Sequence, residues 1–79
     1  MEYDDTKLDE VVLALLHLNA FTHHGVTRAW KGFDWDSLDR LHRGGLISDP
    51  KSKAKSVVLT EEGAQLAEAL FRRHFGKAV

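Results

Sequence analysis

Seventy-nine residues, 43% of them hydrophobic and 29% charged, suit one small globular domain built around one core. The formal net charge is −1, from 11 Lys+Arg against 12 Asp+Glu, so the chain lacks the overall basic excess of a dedicated nucleic-acid binder. With no cysteine, a disulfide framework and a thiolate metal site are excluded.

The opening residues MEYDDTKLDE are acidic, unlike the basic start of a signal peptide. The apolar run VVLALLHLNAF is interrupted by His17 and Asn19 and falls short of the ~20 residues of a membrane span. A cytoplasmic protein without a membrane partner is the expectation. Leu8, Val11, Val12, Leu15 and Leu16 keep the i, i+3, i+4 spacing that predicts a first helix over about 7–20. Thr6, with Asp9 three residues on, is the expected cap. Leu18 extends the stripe, whereas Leu13 falls outside it beside His17. An arc this wide means a helix buried on two sides, or one that meets a second subunit. A homodimer through the first helix is therefore an expectation, with Leu13 as its test position.

Gly25 and Gly32 punctuate FTHHGVTRAWKGFDW, where Val26–Lys31 reads as a short helix with Ala29 and Trp30 facing in. Asp34 then caps a helix over about 35–43 that Gly44 and Gly45 end. Its inward side is Trp35, Leu38, Leu41 and His42. Outward, Asp36 pairs with Arg40 and Asp39 with Arg43 at i, i+4, each worth ~0.2–0.5 kcal/mol. A two-stranded wing over 46–60 follows: Leu46-Ile47-Ser48, an Asp49-Pro50 turn, the loop KSKAK, and Ser56–Thr60 with Val57 and Leu59 on one face. Thr60 caps a last helix over about 61–75, whose inward stripe includes Leu66, Ala67, Leu70 and Phe75.

Two anchors, Leu38-x-x-Leu41-x-x-x-Gly45-Leu46-Ile47 and Lys55-Ser-Val-Val-Leu-Thr-Glu-Glu-Gly63, resemble the winged-helix core of MarR-like and PadR-like regulators over residues 34–70. The resemblance implies a mostly α fold with a small β-hairpin wing (α+β), a winged helix-turn-helix over residues 1–79. It implies in turn a bacterial DNA-binding transcriptional regulator, with the 35–43 helix in the major groove and the wing on phosphate or the minor groove. The flanking helices are shorter than those through which MarR-like proteins dimerise. With RAWKGFDWDSLDRLH and SDPKSKAKSVVLTEEG, the full chain also resembles a small bacterial family of stand-alone domains of unknown function, which implies a fold and leaves activity open.

Lys51, Lys53 and Lys55 alternate on the wing tip, where they reach phosphates, and Arg28 and Lys31 extend the patch. Arg40 and Arg43, once freed from their aspartates, are the candidate base contacts, and double-stranded DNA is the partner these residues imply. Two aspartates on the same helix face oppose that reading, and hairpin lysines also serve to keep an edge soluble. The alternative is a protein-interaction or self-association module on a winged-helix scaffold that does not read DNA.

His23 and His24 are adjacent and point apart, while His17, His42 and His74 stand singly, so no metal centre is expected. His42 and His74 read as hydrogen-bonded residues at the core edge. Trp30 and Trp35 flank Lys-Gly-Phe-Asp. Aromatics among basic residues can stack on single-stranded bases, but filling the core is the favoured reading for both. There is no glycine-rich phosphate loop and no nucleophile beside a base. No catalytic residue, cofactor or small-molecule substrate is expected, and the chain does not read as an enzyme.

Overall fold

A computed structural model describes residues 1–77. Helix α1 runs Asp5–Leu18. Its cap is Asp4, not Thr6: the carboxylate accepts from the Thr6 and Lys7 amides at 2.9 and 3.2 Å. An aspartate caps as well as a threonine and adds a favourable charge at the positive helix end. Val12, Leu13, Ala14 and Leu16 are buried, Leu13 to 1% exposure. The wide apolar arc is thus explained by burial on two sides, since α1 packs on both other helices. Leu13 is core and is not available to a partner subunit. Leu18, at 59%, is the exposed leucine of this helix.

The helix expected over Val26–Lys31 is instead a strand. Strand β1 (Phe21–His23) and strand β2 (Val26–Trp30) form an antiparallel hairpin in which His23 pairs with Val26. The two residues between them, His24 and Gly25, have φ of 52° and 76°. Positive φ at both positions is what a two-residue hairpin turn needs, and glycine supplies it without steric cost. β2 is then bordered on its other edge by β3 (Ser56–Leu59), giving the order β1-β2-β3. A ladder on both edges pairs backbone groups that a helix of six residues would leave open. Alternation points Ala29, Val57 and Leu59 into the core. Trp30 consequently points away from it, 58% exposed.

Helix α2 (Trp35–Arg43) starts at Asp34, whose carboxylate accepts from the Ser37 amide at 3.1 Å, and ends at Gly44 with Gly45 at φ +77°. Its buried residues are Ser37, Leu38 and Leu41, and Trp35 is 59% exposed. On a 100° wheel the helix is rolled by roughly 60° from the expected orientation, toward Ser37 and Arg40. After α2 only Ile47 bridges β3, opposite Leu59. Ser48 adds two bonds of 2.8 Å to Val58, donating from its amide and accepting at its hydroxyl. The first wing strand is thus one bridge long.

Helix α3 (Glu61–Phe75) begins at Thr60, whose hydroxyl accepts from the Gly63 amide at 3.0 Å and donates to the Gly45 carbonyl at 2.8 Å. One side chain therefore ties the start of α3 to the end of α2. A β carbon at Gly63 would collide with the Leu46 carbonyl group. Gly63→Ala is expected to cost about 1–3 kcal/mol, read as a lower urea midpoint at unchanged slope. Leu66 and Phe75, placed inward by the stripe, are 40% and 48% exposed. The result is a mixed α+β structure of three helices and a small three-stranded antiparallel sheet. Helices α1 and α3 cover one face of that sheet. Among the described residues, no helix is long and apolar enough to cross a membrane.

Candidate nucleic-acid interface

The loop 49–55 is fixed from within. Lys31 donates from Nζ to the Pro50 and Ser52 carbonyls, 2.7 Å each, and its amide donates to the Lys55 carbonyl at 3.2 Å. Asp49 accepts from the Lys51 amide at 2.9 Å, and Pro50 is buried beneath the loop. Lys51, Lys53 and Lys55 are left exposed, and among the described residues they enter no ion pair. Lys31 thus supports the loop instead of joining its cationic tip. Arg28, half-buried on β2, donates from Nε to the Ser56 hydroxyl at 3.0 Å.

Arg40 is not paired with Asp36. It makes a two-pronged contact with Asp9 on α1, at 2.7 and 2.9 Å, and lies 3.8 Å from Asp5. The hydrogen bond to Asp9 raises its already high pKa; burial opposes that, and the charges of Asp9, Asp5 and Asp36 add to it. The roll of α2 is the counterpart of this contact, which ties the helix to α1. Arg43 does keep its i, i+4 partner Asp39, at 3.3 Å, on the exposed side. Arg40→Gln and Asp9→Asn are each expected to lower the melting temperature. The double variant should lose less than the sum of the two, a coupling that a double-mutant cycle measures.

The seven cations singled out in the sequence therefore separate into groups. Lys51, Lys53 and Lys55 stand exposed on the loop; Arg28 and Lys31 flank its base; Arg40 is turned to α1 and Arg43 to Asp39. The pattern missed the outer face of the sheet, which carries Phe21 at 54%, Val26 at 40% and Trp30 at 58% exposure. Its one local trace was the turn pair His24-Gly25, too weak a hairpin sign to read alone because histidine stands where asparagine or aspartate is usual. Among the histidines, His42 is half-buried and must donate from Nδ1, because its partner at 3.0 Å is the Ile47 carbonyl. His74 lies 3.4 Å from Glu10.

A family model described as Domain of unknown function (DUF6429) matches residues 4–77. The chain belongs to the DUF6429 family. A relative, Uncharacterized protein y4hR of Sinorhizobium fredii (strain NBRC 101917 / NGR234), is 57% identical over 75 residues. That alignment covers 95% of this chain and 97% of y4hR. No solved structure matches. The DUF6429 match runs from the Asp4 cap past the end of α3, so it takes in every element and both the loop and the sheet face.

Proposed function

We propose that this DUF6429 domain binds DNA through the phosphate backbone, with the 49–55 loop as the wing of a winged-helix-like half made by α2, the Ile47 bridge, β3 and α3. The observation that carries this reading is the tethered loop: Lys31 holds the Pro50 and Ser52 carbonyls while three neighbouring lysines face solvent, without an ion pair among the described residues. Cations carried at alternate positions of a tethered loop can meet phosphates and give affinity without sequence information. The likeness of the two anchor motifs to MarR-like and PadR-like regulators supports the same docking edge. Base reading by α2 has less to rest on, because Arg40 is turned to Asp9 and Arg43 to Asp39. Transcription regulation of the MarR-like kind would need base readers that this helix does not present, so weak sequence preference is the expectation.

A salt titration on mixed-sequence duplex tests this. Three phosphate contacts give a log–log slope of about −2.7. The absence of a complex at low salt would overturn the proposal. A second reading, self-association through α1, is favoured by Leu18 at 59% exposure. Sedimentation showing a monomer at every concentration would remove it, and a dimer dissolved by Leu18→Glu would establish it.

A further inference from the structure

On the open face of the sheet, Phe21 lies directly across from Arg28, and Trp30 is two residues further along β2. The two aromatic residues are thus diagonal neighbours, ~7–8 Å apart between Cα atoms in an antiparallel ladder. Trp30 lies over Gly32 so closely that a β carbon there would occupy the position of its six-membered ring. Phe33 props the ring from one side, with centroids 6.4 Å apart and planes at 60°. The indole therefore rests on backbone while staying 58% exposed. The charge on this face is positive. Arg28, across the ladder from Phe21 and two residues before Trp30 on the same side of β2, donates to the Ser56 hydroxyl, and Trp30 pairs with Ser56, the residue following Lys55.

We propose that this face is a stacking platform for single-stranded nucleic acid, with bases on Phe21 and Trp30 and the backbone leading to Lys51, Lys53 and Lys55. The inference rests on the phosphate-binding reading of the loop and narrows its ligand. Paired bases in a duplex hide their faces in the stack; unpaired bases present them to exposed rings. A second copy of the chain fits the face less well. A two-fold contact sets a patch against itself, and a contact centred here would set Arg28 against Arg28.

The test uses Trp35→Phe protein, so that Trp30 is the sole indole emitter. A short oligothymidylate is expected to quench Trp30 emission, and a duplex to bind without quenching. Phe21→Ala and Gly32→Ala should each weaken oligothymidylate binding by about fivefold to 150-fold, the range for one stacked base, and leave duplex binding unchanged. Gly32→Ala keeps every cation in place, and Gly32 is not in the left-handed region, so alanine fits the main chain and displaces only the indole. Oligothymidylate binding with unchanged Trp30 emission, or insensitive to both variants, overturns the platform and leaves the phosphate reading standing. Failure to bind either nucleic acid overturns both. A concentration-dependent dimer that Phe21→Ala dissolves assigns the face to a second copy and overturns the platform.

Discussion

Leu13→Glu is expected to abolish the cooperative unfolding transition, leaving a chain without fixed tertiary structure. Leu13 is 1% exposed and lines the junction of α1 with Leu41 of α2 and Leu70 of α3. Truncating a buried leucine costs about 2–5 kcal/mol. An unpaired carboxylate in its place adds several kcal/mol more. Arg40 borders the same junction, but its guanidinium is already held by Asp9. Against this, a domain of this size is stabilised by only about 4–12 kcal/mol, at roughly 0.05–0.15 kcal/mol per residue. Leu18→Glu, on the same helix at 59% exposure, should change stability by less than about 0.5 kcal/mol. Urea titrations followed by circular dichroism separate the two. A Leu13→Glu protein melting near the parent would show that the wide arc of α1 is not core.

The same residue shows what a sequence discloses. The period of α1 identifies a helix apolar over a wide arc, but whether a neighbour or a partner covers it depends on where α2 and α3 arrive. Short-range chemistry was legible: Asp34 and Thr60 cap through their own side chains, and Gly45 turns the chain at φ +77°. Long-range choices were not. Val26–Trp30 becomes a strand because β3, some thirty residues on, pairs with it, and the turn that starts it uses histidine where asparagine or aspartate is the usual sign. Arg40 has a carboxylate one turn away at Asp36, yet Asp9 wins because a two-pronged contact across packed helices adds geometry to charge. With Arg40 turned in, α2 rolls and Trp35 is carried out to solvent. At the candidate site the loop lysines could be read directly, since alternation is local. The support by Lys31 and the sheet face could not, since both require the hairpin.

Replacing Lys51, Lys53 and Lys55 together by glutamate is expected to eliminate DNA binding at every salt concentration from about 50 mM upward, at unchanged melting temperature. All three side chains are exposed and unpaired among the described residues, so the fold loses little when they reverse. Lys31→Gln is the informative companion. It weakens the hold on the Pro50 and Ser52 carbonyls, so the loop samples more conformations before it binds. Affinity should fall because ordering the loop now costs free energy at the moment of association. The number of phosphates neutralised stays the same, so the salt slope should remain about −2.7. Were Lys31 a phosphate ligand itself, its loss would make the slope shallower by about 0.9. An unchanged slope with weaker binding assigns Lys31 to the scaffold of the loop, and a shallower one moves it to the contact surface.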